Sequence, residues 1–346
     1  MKKGALRVSS KNLKVYRYSG ATWRPVKVEL ADLMDVVKLF KAHGNFGALV
    51  SEKDSGWLKG YGFDDGAVLG ERIGVLPNGE KLDKAFSLFA RGLTIHDEAN
   101  HGWDVLFQNA SGSWSYCYSL KKKTSHVKSK YEKVARFERI YPRLRRNVLK
   151  GLERGDDMSV AMMTLFETLM RVGNESYYLR DGHKGLTTLK RGDIKIRRNL
   201  VEFNFVAKDG VPQVIVREFP LIYIKRLRAL LRGKRKNDFV FVNALSGHPL
   251  KDVTFEKAFV DYCGEKFYPH IVRSFYATKK VEDFLAAHRG KVSWGDVEDL
   301  FVGIAERLGH KKFSKKKGEW EICYKVTMDH YVNPKLVKRV EGKIKF

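Results

Sequence analysis

Met158-SVAMMTLFETLMRVGNESYYLRDGHKGLTTLKRGDIKIRRNLVEFNFVAKD-Gly210 is the stretch on which the fold turns. Met158 to Met170 carries apolar residues at helical spacing, which predicts a helix. Asp193 to Arg198 and Val201 to Ala207 alternate and predict strands, with a third strand over Gln213 to Glu218. Lys208-Asp209-Gly210 stands at the second turn of this meander. Asp-Gly is a strong hairpin signal, because both residues tolerate the positive φ of a tight turn. A helix followed by a small antiparallel sheet is therefore predicted.

Working outward, Lys130 to Lys150 is again helical in spacing. Further helices are predicted near Leu221–Leu231, Val253–Cys263, His270–Ala287 and Trp294–Leu308. The last has a capping box in Ser293 and Asp296. The first 120 residues are different: rich in Gly and Trp, with short alternating runs such as Leu13 to Tyr18 and Trp114 to Tyr118, and one helix near Ala31 to His43. Between the two regions lies Lys121-Lys-Lys-Thr-Ser-His-Val-Lys-Ser-Lys130, a basic run of small residues. It reads as a hinge that touches phosphates or as a solvated loop. The expectation is an α+β protein: a small mainly β N-terminal domain over residues 1–121, and over 122–346 a mainly α domain carrying one small antiparallel sheet.

The 346 residues carry a formal net charge of +26. Such a surplus repels itself unless a polyanion offsets it, and nucleic acid is the commonest polyanion. No apolar run reaches the length of a membrane-spanning helix, so no membrane partner is expected, and the N-terminus lacks the apolar core of a secretory signal. Cys117, Cys263 and Cys323 show neither paired nor zinc spacing and read as free thiols of a reducing, intracellular compartment. Gly74-Val-Leu-Pro-Asn-Gly79 misplaces the lysine of a phosphate loop and reads as a turn between strands. The acidic pairs Asp64-Asp65 and Asp156-Asp157 do not make a two-metal site, and no histidine pair has ligand spacing. No metal and no nucleotide cofactor is implied; if the chain is a nuclease-like enzyme, that leaves a side-chain nucleophile supported by cationic side chains.

Several motifs resemble those of type IB DNA topoisomerases, in the expected order. Arg171-Val-Gly-Asn-Glu-Ser-Tyr177 resembles that family's helix-end arginine motif, and Gly185-Leu-Thr-Thr-Leu-Lys190 the stretch leading into its small sheet. Phe205-Val-Ala-Lys208-Asp-Gly resembles the hairpin of its catalytic lysine. His270-Ile-Val-Arg273-Ser-Phe-Tyr-Ala-Thr278 resembles the second arginine motif, Leu308-Gly-His310 the histidine motif and Tyr331-Val-Asn-Pro334 the tyrosine motif. Lys130 to Arg145 resembles the helix that opens the catalytic domain. The resemblance covers roughly residues 100–340. It implies a DNA breaking-rejoining enzyme fold closed as a clamp around double-stranded DNA, acting as a monomer. It implies Arg171, Lys208, Arg273, His310 and Tyr331 as the catalytic set, and DNA contacts at Asn174, Tyr177, Lys190 and His270. Lys121, Lys122 and Lys123 of the basic run are expected to meet phosphates.

The chemistry fits these residue types. Attack of an oxygen nucleophile on a phosphodiester builds charge on the nonbridging oxygens, which two permanently charged guanidiniums hold bidentately. A histidine adds a hydrogen bond, and a lysine on a hairpin supplies the proton for the leaving 5′-oxygen. Tyr331 would carry the DNA as a 3′-phosphotyrosine, conserving the bond energy so that no ATP is consumed. Outside that set, each arginine would read as a surface residue and Tyr331 as a core aromatic; Tyr324 is the rival nucleophile. Two features depart from the poxvirus-like members. The segment between His310 and Tyr331 is longer and more basic, with Lys311, Lys312, Lys315, Lys316 and Lys317, and reads as a phosphate-tracking loop or a solvated insertion. The spacing of His270 and Arg273, and of His310, Thr327 and Tyr331, also resembles tyrosine site-specific recombinases, although no strand-exchange helix is evident after Tyr331. A recombinase is therefore the alternative, and a non-catalytic DNA-binding protein a third reading.

Overall fold

The computed structural model describes residues 2–96, 102–109 and 111–345, and the chain forms an α+β protein of two compact units, Met1–Ser129 and Lys130–Phe346. The first unit is mainly β. Strands β1 (Leu6–Val8), β2 (Val15–Tyr18) and β3 (Trp23–Pro25) precede helix α1 (Ala31–Ala42), and β4 (Tyr61–Gly62) and β5 (Val68–Leu69) complete a sheet of order β3-β2-β1-β4-β5. Strands β6 (Ile73–Val75) and β7 (Lys81–Phe86) form a hairpin through the turn at Gly79, as expected for that glycine-rich stretch. Strands β8 (Arg91–Ile95), β9 (Val105–Gln108) and β10 (Trp114–Cys117) form a third sheet. Leu33, Val36, Val37 and Phe40 share one face of α1 and fill the core between these layers, the spacing of an amphipathic helix.

The basic run is helical rather than a loop. Helix α2 spans Leu120–Arg154 without interruption. Lysine is a good helix former, and the helix start is satisfied locally: Ser119 Oγ accepts from Lys122 N at 3.2 Å. Lys122 pairs with Asp104 at 2.6 Å and Lys123 with Asp83 at 3.2 Å, while Lys121 is exposed.

In the second unit α3 (Asp157–Thr168) is the central helix, buried on nearly every face from Ser159 to Phe166. Asp156 caps it, accepting from Met158 N at 2.9 Å. After α4 (Glu175–Asp181) come β11 (Ile194–Arg197), β12 (Leu200–Val206) and β13 (Pro212–Glu218), paired antiparallel in sequence order. The predicted meander and its turn at Lys208–Gly210 are present; Asp209 and Gly210 take φ of 64° and 77°. Helices α5 (Leu221–Leu231), α6 (Asp252–Cys263), α7 (Ile271–Ala287) and α8 (Trp294–Leu308) follow, and the capping box of Ser293 and Asp296 forms. The basic segment after His310 is a hairpin rather than a loop, β14 (Lys311–Ser314) with β15 (Glu319–Ile322). Helix α9 (Tyr324–Tyr331) and then α10 (Pro334–Glu341) close the chain. The latter was not expected; it buries Leu336 and Val340 in the core of its own unit. Among the described residues no helix is long and apolar enough to cross a membrane.

Candidate active site

Helix α3 ends on Leu169, held at a left-handed φ of 57°, and the chain that leaves it carries Arg171. Its path is fixed by a close backbone crossing. A Cβ on Gly185 would lie 2.6 Å from Gly173 and 2.7 Å from Arg171 O, so only glycine fits. Leu186 N then donates to Arg171 O at 2.9 Å and Thr187 N to Val172 O at 2.7 Å. The arginine motif and the Gly185 motif are thus two sides of one contact.

Arg273 lies in the first turn of α7 and is 3% exposed. It donates to Leu169 O, and to Leu308 O at 2.9 Å, with Nη2 also 2.9 Å from His310 Nε2. Leu169 and Leu308 close α3 and α8, and carbonyls at helix ends carry partial negative charge that offsets a buried cation. Its Nε is buried and has no partner among the described residues.

His310 follows Gly309, which ends α8 in the left-handed conformation at φ 68°. Its Nδ1 is 2.8 Å from Thr327 Oγ1. A guanidinium can only donate, so Nε2 accepts from Arg273 and Nδ1 carries the hydrogen. Burial, then Arg273 and Arg171, push the His310 pKa down to about 3. His270, at the start of α7, is pushed to about 3 by the same causes. Both imidazoles are neutral.

Tyr331 is the last residue of α9 and is 3% exposed. Its Oη accepts from Arg171 Nη2 at 3.3 Å. The Arg273 guanidinium carbon stands 5.2 Å from the ring centroid, and the rings of His310 and His270 stand at 4.5 and 5.0 Å. Burial alone would raise the hydroxyl's pKa, but Arg273 and then Arg171 outweigh it and hold it below the usual phenol value. Helix α9 places Tyr324 seven residues back, about 10 Å along the axis.

Four of the five expected catalytic residues thus converge, and His270 joins them. Lys208 does not: it is exposed on its turn, with no hydrogen bond or ion pair among the described residues. The base of that turn is held from the other side of the site, by Gln213 Nε2 on Gly309 O at 3.0 Å and Lys311 Nζ on Pro212 O at 3.4 Å. Of the expected DNA contacts, Asn174 caps α4 by accepting from Ser176 N and Tyr177 N. Tyr177 is exposed beside Arg180, and Lys190 Nζ lies over the Tyr178 and Phe239 rings. Sequence reasoning gave no role to Lys130, Tyr131 and Thr278, all of which touch the Tyr331 segment; all three lay in quoted stretches, the first two in the opening helix and Thr278 at the end of the second arginine motif. Among the described residues no group of three or more His, Cys, Asp or Glu could hold a metal ion.

Residues 119–323 match the family described as eukaryotic DNA topoisomerase I, catalytic core. No curated protein matches the chain. Two solved structures of the XerH site-specific recombinase are similar. One is bound to its difH substrate in a pre-cleavage complex (15% identity, TM-score 0.33, 49% of this chain and 44% of that one). The other is bound to a palindromic difH substrate in a post-cleavage complex (14% identity, TM-score 0.35, 58% of this chain and 50% of that one). The chain spans half or less of the recombinase chains it matches.

Proposed function

The chain belongs to the eukaryotic DNA topoisomerase I catalytic-core family, and from that premise we propose that it is a type IB topoisomerase working through Tyr331. The observation that carries this is the convergence of Arg171, Arg273 and His310 on one buried tyrosine, Arg171 at its hydroxyl and the other two at its ring. Tyr331 Oη attacks a phosphodiester of duplex DNA, forms a 3′-phosphotyrosine and expels the 5′-oxygen, which leaves as a hydroxyl. The reverse attack reseals the strand.

Arg171 and Arg273 lower the cost of ionising the attacking phenol and then hold the nonbridging oxygens as charge grows on them. His310 is ready for a proton shift between its nitrogens. With a phosphate in place, Nε2–H donates to a nonbridging oxygen and the Thr327 hydroxyl donates to Nδ1. Lys208, on its exposed turn, protonates the leaving 5′-oxygen. The +26 surplus supports duplex DNA as the partner, and we assign the N-terminal unit the DNA-embracing half of a monomeric clamp. Bond energy is conserved throughout, so no ATP is required, and the arginines and Lys208 take the charge-stabilising and proton-donating tasks that would otherwise fall to a divalent metal. The burial of Leu336 and Val340 of α10 in their own unit favours this reading over a recombinase, which must give helices to neighbouring protomers.

Supercoiled plasmid incubated with the protein in excess EDTA and without ATP should relax, whichever the sign of supercoiling. The Tyr331→Phe protein should bind DNA and form no covalent adduct. Strict ATP dependence, or an adduct that survives Tyr331→Phe and is lost in Tyr324→Phe, would refute the mechanism. Strand exchange between two specific sites without relaxation would establish the recombinase instead.

A further inference from the structure

A helix end leaves its last carbonyls without backbone partners, and most helices meet this with a glycine turn or with water. Helix α9 has no such glycine. Val332, which follows it, is extended at φ −104° and ψ 145°. Three consecutive carbonyls there are taken by side chains from two other helices. Lys130 Nζ donates to His330 O, Thr278 Oγ1 to Tyr331 O at 3.5 Å, and Tyr131 Oη to Val332 O at 2.5 Å.

Lys130 is the unusual member. It is half-buried, and burial holds its ammonium below the usual lysine value. A lysine serving only to pack α2 would be better replaced by leucine or methionine, because burying an ammonium is costly. Its Nζ also stands 5.8 Å from the Tyr331 ring centroid and 5.2 Å from that of Tyr131. One side chain thus grips the backbone before the tyrosine and places a positive charge beside its ring.

We propose that Lys130 and Tyr131 are positioning residues that clamp the end of α9 and aim Tyr331 at the phosphate, a role that rests on Tyr331 being the nucleophile. Neither touches the reacting atoms. Lys130 acts through the His330 carbonyl and through its charge, Tyr131 through the Val332 carbonyl alone. Tyr331 is faced by Arg171 from the chain after α3, by His270 and Arg273 from α7, by His310 from the end of α8, and by Lys130 and Tyr131 from α2; His330 is its neighbour on α9. With both histidines neutral, Lys130 is the third fixed cation at the phenol.

The test uses the full chain on saturating duplex DNA, with covalent adduct followed in a single turnover across pH. Lys130→Met keeps the stem and removes the charge and donors; it should slow adduct formation roughly 10- to 100-fold, the effect of losing a charged hydrogen bond. Its pH–rate profile should move to higher pH, because a phenol that loses a neighbouring cation ionises later. Tyr131→Phe removes one hydroxyl; it should slow the reaction about 5- to 10-fold with the profile unmoved. Lys130→Arg should recover most of the rate, and DNA affinity and melting temperature should stay near the parent's in Tyr131→Phe. A Lys130→Met protein that cleaves within about twofold of the parent at every pH, when a lost charged hydrogen bond should cost far more, overturns the proposal. So does a slowed protein whose profile is unmoved and which arginine does not rescue, since that describes packing alone. Adduct formation by Tyr331→Phe in the same assay would instead sink the underlying assignment of the nucleophile, independently of Lys130.

Discussion

Thr327 is fully buried, and its hydroxyl is the partner of His310 Nδ1 at 2.8 Å. Thr327→Val exchanges that hydroxyl for a methyl of nearly the same shape. The Nδ1–H is then buried without an acceptor, at a cost of roughly 1–3 kcal/mol. For a unit the size of Lys130–Phe346 each kcal/mol moves the melting temperature by about 2–4 °C. A drop of roughly 2–12 °C follows. The imidazole also loses its orienting contact, and a misplaced hydrogen-bond donor of this kind slows cleavage by up to ~10²-fold. Thr327→Ser separates the two effects. It gives up a buried methyl, about 1 kcal/mol, yet keeps the hydroxyl. Melting followed by circular dichroism and single-turnover cleavage are the two readouts. Valine should lower both stability and cleavage, serine only stability. A double-mutant cycle with His310→Ala should show coupling of about 1 kcal/mol or more in the cleavage barrier. Equal cleavage by the valine and serine proteins, or a cycle that closes to zero, would refute the idea that Thr327 sets the imidazole.

Lys208→Ala should slow cleavage by ~10²–10⁴-fold at unchanged stability, since the side chain is exposed and has no partner among the described residues; a substrate with sulfur at the bridging 5′ position should rescue it and should not rescue Arg171→Ala. Equal rescue of both, or of neither, would leave Lys208 without a role as acid. DNA binding should weaken with salt at a logarithmic slope steeper than about −4, each neutralised phosphate contributing about −0.9, and a nearly flat dependence would turn the basic surface toward another partner. The free protein should lose stability in acid: His270 and His310 have folded pKa values of about 3, below the unfolded value near 6.5, so their contribution is complete above about pH 6.5 and is lost as pH falls toward 3. Melting from pH 7 down to 4 should show a shallower decline in a His270→Asn, His310→Asn protein, and parallel declines would deny the buried neutral imidazoles.

Local signals carried most of the fold. The Trp294–Leu308 helix was legible because Ser293 and Asp296 announce its start, and the meander because alternation and Asp209-Gly210 leave few options. The run Lys121–Lys130 misled because its charge suggested solvent, whereas the charge is compatible with a helix whose lysines find Asp104 and Asp83. Those carboxylates come from the first unit's strands and loops, and no local pattern links them to the run. The α10 helix escaped notice because it is short and mostly basic on its outer face. In the site, residue types in order pointed to Arg171, Arg273, His310 and Tyr331, but order does not convey distance. Spacing could not place His270 against Tyr331, nor show that Lys208 stands apart. Lys130 was invisible for the same reason: a lysine among many lysines becomes unusual only once it is seen half-buried with its ammonium on the His330 carbonyl.

The segment bearing Tyr331 is fastened on both sides. Thr327 and Val332 are wholly buried, Asn333 caps α10 by accepting from Lys335 N at 3.0 Å, and that helix is anchored by Leu336 and Val340. A DNA end joined to this tyrosine is therefore on a short leash. It has no slack with which to drift from the arginines that must serve the return reaction. In the proposed reaction the other strand end would be under no such restraint and free to swivel. Breakage would then be an interruption rather than damage, because the end that carries the bond energy stays beside the groups that reseal it.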